Sequence, residues 1–445
     1  MAKNIKVSTT EKFISSFSGS VPVGTIVETL GYSTEGDGGG ASWTKTATTG
    51  TASQSPAQLA DALLNDAAGN QWALIGSEIS VVGLGGVLDG VTDNTSVTAA
   101  AVAWGGKLKI HAGVYLTNSF LILSTALDVE GDSEQSTIIK LKNNAVSNVF
   151  TLTGTAKLKL HNLTIDQNFA NNSGGHGIRS GGCDSLILNN VTIQNCAFYG
   201  IGFQAGTSKG VFLTDLTIKN TNSDGIDIKD YNFNNECIFI TNYRAENVSI
   251  IDSDDVALDV RGEVCVDGVS IQTATDSRGI RLRQGNTQGR GGFGTISNVV
   301  FKGHGSGSTI AIQIATSSRD FTFNNIVAKD CLQAVLQSSG AIGGVVNNVS
   351  SSGIYGDGMS IGGSDLLVTN YSAINTTGSS RLCDVEAACV NFSLSNFFID
   401  ASASTQGIRI NSGASDTALS NGVIRNGTIG DSGTGSIINN VRLIS

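Results

Sequence analysis

The sequence predicts an all-β chain wound as a right-handed single-stranded parallel β-helix, with three strands per coil, about 12 coils, a small N-terminal domain and a capping helix. Three observations carry that expectation. A short motif recurs at a solenoid period, apolar residues alternate at period two around it, and only two prolines interrupt 445 residues. Asp and Asn gather in the gaps between the apolar runs, where turns are expected.

The motif is Asn-apolar-polar-apolar. It reads Asn162-Leu163-Thr164-Ile165, Asn190-Val191-Thr192-Ile193, Asp215-Leu216-Thr217-Ile218, Asn247-Val248-Ser249-Ile250, Gly268-Val269-Ser270-Ile271 and Asn298-Val299-Val300-Phe301. Further copies begin at Asn325, Asn348, Asn370, Asn396, Asn421 and Asn440, making twelve copies at a mean step of about 25 residues. A second run follows about ten residues later, as in Gly225-Ile226-Asp227-Ile228 and Gly279-Ile280-Arg281-Leu282, and a third precedes the Asn, as in Val211-Phe212-Leu213-Thr214. Asn suits the bend because its short side chain tolerates a left-handed backbone and can bond to the next Asn in the stack.

Composition narrows the function. A net charge of −10 with 27 Lys and Arg argues against a general nucleic-acid binder. No apolar run approaches the ~20 residues of a membrane helix, so membrane insertion is not expected. Seven cysteines, an odd number without metal-ligand spacing, read as buried free thiols formed in a reducing compartment. The opening Met-Ala-Lys-Asn-Ile-Lys-Val lacks the apolar core of a secretion signal.

Three regions are expected: residues 1–80 outside the repeat, 81–160 as the first coils, and 161–445 as the β-helix with an outward groove. In the first, Ser55 and Pro56 suggest a helix start, with Leu59, Leu63 and Leu64 on one face. The loop Gly36-Asp37-Gly38-Gly39-Gly40 lacks the Lys-Ser/Thr of a phosphate cradle and reads as a turn.

Leu30-Gly31-Tyr32 with that loop, then Asn70-Gln71-Trp72-Ala73-Leu74-Ile75, resembles the N-terminal region of bacteriophage tailspike and tail-fibre proteins. Leu88-Asp89-Gly90-Val91-Thr92-Asp93-Asn94-Thr95, with Gly105-Gly106-Lys107-Leu108-Lys109-Ile110, resembles the opening of pectate-lyase-like β-helices, which implies a helix at about Thr95 to Trp104 over the first coil. A covering helix makes sense because an open end exposes apolar side chains and strand edges. The resemblance implies a homotrimer on a phage tail, assembled in the host cytoplasm, that binds and often depolymerises bacterial surface polysaccharide. The repeat runs almost to Ser445, which leaves open whether a partner chain covers that end or further residues were removed.

If the isoleucines of the second run point inward, an outward row reads Arg179, Gly202, Asp227, Asp259, Arg281 and Gln313, with Lys229, Arg261 and Arg283 beside it. Coils about 4.8 Å apart make Asp227 and Asp259 neighbours, and two such anions raise one pKa and offer a proton donor. The arginines, with Arg278, suit the carboxylates of an acidic sugar. Asn222-Ser223-Asp224-Gly225 and Asp254-Asp255 are similar to motifs of the polygalacturonases, inverting hydrolases of this fold. That resemblance implies Asp224 and Asp255 as bases and Asp254 as acid. The family's Gly-His-Gly reads Arg278-Gly279-Ile280 here, and its Arg-x-Lys reads Arg281-Leu282-Arg283.

The candidate catalytic set is therefore Asp224, Asp227, Asp254, Asp255 and Asp259, and the substrate-binding set is Lys229, Arg261, Arg278, Arg281 and Arg283. In an oligomer, Glu236, Asp330, Asp357 or Glu386 are alternatives. No cofactor is expected for a hydrolase. A lyase would use Arg281 or Lys229 as base, with aspartates holding calcium, and a third alternative is a non-catalytic receptor-binding fibre.

Overall fold

The computed structural model describes residues 4–50, 53–59, 63–229, 235–246, 256–273, 278–283, 292–303, 309–374, 381–401 and 406–445. The chain forms two compact units, residues 1–194 and 195–445. Their coiled parts are parallel β-solenoid, about 15 turns in all. That exceeds the twelve motif copies because the first coils, built on Lys107–Ile110 and Ala126–Gly131, turn without the Asn motif.

The first unit opens with a five-stranded sheet ordered Asn4–Val7, Ile26–Thr29, Ala41–Thr49, Asn70–Leu74 and Leu63–Asn65. Helix Thr10–Ser16 is capped by the Thr9 hydroxyl and packs Phe13 edge-on against Trp72, ring centres 4.9 Å apart. The helix expected from Ser55 does not form. Ser55 starts a single 3-10 turn, Pro56–Gln58, and Leu63–Asn65 pairs as a strand with Asn70–Leu74. Sheet pairing outweighed a local capping signal with too short an apolar face to sustain a helix. The Gly-rich loop is a turn as read: the Asp37 carboxylate accepts from the backbone N–H groups of Tyr32, Ser33, Thr34 and Gly39.

The capping helix spans Thr95–Trp104 and ends at Gly105, whose φ of +72° suits glycine. Thr98 is buried on its inner face, bonded to Tyr115 and Thr117. Asn94 fixes the start differently from a cap: its amide ties Val87 and Leu116 together.

In the second unit each coil contributes one long strand and one short one. The long strand is bent in its middle by a left-handed Asn or Asp, or by Gly268 in one coil, so that it reads as two runs and gives three per coil. Asn298, Asn325, Asn348, Asn370, Asn396, Asn421 and Asn440 have φ between +51° and +57°. Amides climb the stack from Asn325 to Asn298 (2.8 Å), Asn348 to Asn325 (2.9 Å) and Asn370 to Asn348 (2.7 Å). One copy was misplaced. Asn242, φ +53°, makes the bend between those at Asp215 and Gly268 and bonds to Asp215; Asn247 through Ile250 lie outside the described residues. Residues 242–245 read Asn-Tyr-Arg-Ala, which hides the apolar pattern.

The short strands form the sheet that carries the site. Ile226, Leu258, Ile280, Ile312, Val335, Met359, Cys383 and Ile408 stack in register on the inside, each wholly buried. This continuous apolar column is the core of the unit.

Candidate functional site

The expected outward row is present in register: Gly202 faces Asp227, Asp227 faces Asp259, Asp259 faces Arg281, and Arg281 faces Gln313. It points away from the core without meeting solvent. Asp227 and Asp259 have no exposed surface, because the side chains of the adjacent row fold back over them. Arg261 bridges the two, Nη1 lying 3.2 Å from Asp227 Oδ1 and Nη2 2.8 Å from Asp259 Oδ2. Arg281 Nε and Arg283 Nη2 also reach Asp259, at 3.4 and 2.5 Å, and Lys229 Nζ reaches Asp227 at 3.2 Å. Arg261 and Arg281 are almost covered, so the parts facing water are Arg283 and Lys229, with 34% and 21% of their side chains exposed.

Two contributors escaped the sequence reading. Gln204 donates to Asp227 (3.1 Å) and accepts from Lys229 (2.9 Å), and the Tyr199 hydroxyl accepts from Lys229 (3.2 Å) beneath a cation–π contact of 5.0 Å. Gly202 makes this possible: a Cβ there would lie 2.9 Å from Gln204 Nε2 and 3.1 Å from the Tyr199 ring. Neither residue belongs to a charged motif. A glycine at an outward strand position is the one signal that neighbouring side chains cross it.

Asp224 is buried and accepts from the Val256 N–H at 2.6 Å. Val256 follows Asp254-Asp255 directly, so the chain position after that pair is pinned to Asp224. Asp254 and Asp255 themselves lie outside the described residues. Arg278 is half-buried at the start of its strand, facing Val256.

Burial pushes the Asp259 carboxyl above its ordinary value, against the pull of Arg281 and Arg261. For Lys229, burial disfavours the ammonium, yet the Asp227 charge and the Tyr199 hydrogen bond win and its pKa rises. Asp224, Asp227 and Asp259 bring carboxylate oxygens within 4.8 Å of one another, a spacing that resembles a cation site. The donor set does not fit calcium. Four fixed cations already stand against three carboxylates, and those of Asp227 and Asp259 are engaged by Lys and Arg. Among the described residues the local balance is thus +1, in a chain of net charge −10.

No protein-family model and no curated protein matches the chain. By its coils and sheet order it belongs to the parallel β-solenoid class, and solved structures share that fold. The chain is similar to the A-module of mannuronan C-5 epimerase AlgE6 from Azotobacter vinelandii, at 15% identity over 82% of this chain and 99% of that one, with a TM-score of 0.55. It is also similar to tailspike protein 3 of bacteriophage CBA120, at 14% identity over 80% of this chain and 63% of that one, with a TM-score of 0.53.

Proposed function

We propose that the chain is a phage tailspike that binds and depolymerises an acidic bacterial surface polysaccharide by hydrolysis. The observation that carries this reading is the guanidinium array: Arg261, Arg281 and Arg283, with Lys229, held over two buried aspartates on the face of a β-solenoid. Arg283 and Lys229, the two that meet solvent, are held in place by this array, and fixed cations bind carboxylates with little ordering cost, which suits uronic or similarly acidic sugars. The tailspike fold of a structural neighbour supports the setting. Within the proposal the protein is a homotrimer on the virion tail, attached through its N-terminal region, assembled in the host cytoplasm and acting at the host surface.

In the mechanism, Asp254 protonates the glycosidic oxygen as the C–O bond breaks. Asp224 and Asp255 take a proton from the water that attacks the anomeric carbon. Asp227 and Asp259 are positioning residues, since their oxygens are spent on the cations they orient. Hydrolysis is favoured over elimination because the raised pKa keeps Lys229 protonated and Arg281 is tied to Asp259.

The test is incubation of the full chain with a panel of purified capsular and O-antigen polysaccharides, followed by size and end-group analysis. Shortened chains with new reducing ends are expected, with activity retained in chelator and reduced about 10²-fold or more in Asp254→Asn. Unsaturated uronate products lost in chelator would establish a lyase instead. Retention of a polysaccharide without any shortening would establish a non-catalytic fibre.

A further inference from the structure

The same sheet repeats the site's framework further along, with different side chains in its upper row. In the first copy, Asp224 Oδ1 accepts from the N–H of Val256 (2.6 Å), and the Tyr243 hydroxyl, packed against Gly225, donates to the Ala257 carbonyl (2.8 Å). In the second, Asp357 Oδ1 accepts from the N–H of Arg381 (3.1 Å), and the Tyr371 hydroxyl, packed against Gly358, donates to the Leu382 carbonyl (2.9 Å). Asp259 faces Arg281 in register, and Asp384 faces Arg409 in register. The sequence carries the echo: Asp-Gly-Ile-Asp-Ile against Asp-Gly-Met-Ser-Ile, Leu-Asp-Val-Arg against Cys-Asp-Val-Glu, and Gly-Ile-Arg-Leu-Arg against Gly-Ile-Arg-Ile-Asn.

Asp227 gives way to Ser360, and the cations around it are lost as well. Lys229 becomes Gly362, Arg261 becomes Glu386 and Arg283 becomes Asn411. Three cations give way to a carboxylate, an amide and a glycine. Arg409 Nε and Nη2 engage the buried Asp384 at 2.9 and 2.5 Å, so the framework keeps its arginine-on-aspartate floor. Over it, Glu386 is held by the Ser360 hydroxyl at 2.5 Å and lies across Gly362, whose Cβ would come within 2.6 Å of Glu386 Oε2. Asp357 remains a fifth exposed, and burial pushes its pKa upward. Below, the Gln337 amide is wholly buried with neither its oxygen nor its nitrogen hydrogen-bonded, pressed toward Gly363 beside the glycine on which Glu386 rests.

We propose that this second copy is a separate sugar-binding site, selective for hydroxyl-rich, uncharged sugar units where the first copy takes acidic ones. The carboxylates of Asp357 and Glu386 accept from sugar hydroxyls and repel a uronate, while Arg381, with a third of its side chain exposed, supplies donors beside them. Asp259 and Asp384 are five strands apart on one sheet, so at about 4.8 Å per strand the two sites are about 24 Å apart. A single polysaccharide chain laid along the sheet meets both. The proposal rests on the first copy being a polysaccharide site, and the effect of linking two weak sites is affinity that grows with ligand length.

The experiment measures binding of graded fragments, from disaccharide to dodecasaccharide, cut from whichever capsular polysaccharide the wild-type chain retains, using Asp254→Asn as background to prevent turnover. Affinity is expected to rise steeply once fragments span both sites. Glu386→Gln should weaken long fragments about tenfold and leave short acidic ones unchanged, while Arg283→Ala should weaken both. Glu386→Arg, which installs the first copy's residue over Gly362, should raise affinity for short acidic fragments by supplying a second anionic-sugar site. Equal affinity for short and long fragments, or full long-fragment binding in both Glu386 variants, overturns the second site while leaving the first. Failure of the wild-type chain to retain any polysaccharide overturns the function proposed above, and this proposal with it.

Discussion

Replacing Arg261 with Met tests the physical basis of the site most directly. The side chain is 6% exposed and bridges two carboxylates with no exposed surface, at 3.2 and 2.8 Å. Methionine keeps much of the packing and removes the charge. Stranding a buried charge costs about 3–5 kcal/mol. Lys229 still stands at Asp227, and Arg281 and Arg283 at Asp259, so the lower end applies. About 3 kcal/mol corresponds to roughly a 10²-fold rise in local opening. Native-state hydrogen exchange reads this at the amides of Ile226–Ile228 and Val256–Val260, with the distant strand Ile408–Ile410 as internal control. The defect should deepen as pH rises. Asp259 already sits above its ordinary value, so the native state holds its proton more firmly than the unfolded chain, and stability falls with pH between those two values. Asp227→Asn in the Arg261→Met background should restore part of the protection, since one of the stranded charges is gone. A loss of protection under fivefold, or no recovery in the double variant, would refute the view that burial of the aspartates depends on Arg261.

Other expectations address the rest of the chain. Asn348→Ala should destabilise the solenoid by about 1–2 kcal/mol, because it breaks two ladder bonds and keeps a β-carbon at φ +55° without the short polar side chain that eases that conformation, whereas Asn348→Gly loses the bonds but removes the β-carbon and should cost less; equilibrium unfolding separates them. In the first unit, hydrogen bonds from Lys107 and Lys109 hold the Glu130 carboxyl below its ordinary value. Its stabilising contribution is present above the unfolded-state pKa and lost as pH falls through the folded one, so Glu130→Gln should flatten the acid limb of a fluorescence titration. Thiol titration should find seven reactive groups in denaturant and at most Cys237 and Cys265 without it, because the other five are buried. Reaction at Cys237 should be slow at neutral pH, since burial pushes its thiol up to about 12.

The fold was legible because a solenoid writes its period into the chain. Asn at the bend and apolar residues two apart are local requirements that recur through most coils, and a glycine precedes many of the short strands. The capping helix, Thr95 to Trp104, was expected from the family resemblance of the residues around it rather than from a local signal, and it forms over those bounds. The signal failed where tertiary pairing overruled it, at Ser55, and where an atypical coil masked the motif, at Asn242.

For the site, the sequence by itself determined which residues share a row: Asp227 beside Asp259 beside Arg281 follows from register alone, since side chains alternate and coils stack. Only the tertiary structure decided which of them meet solvent. Long Arg and Lys side chains reach across coil boundaries and cover the aspartates, and Gln204 and Tyr199 cross the gap left by Gly202. Backbone periodicity fixes where a Cβ points to within one strand spacing. A guanidinium several bonds further out is placed by the charges it finds, and those come from other coils.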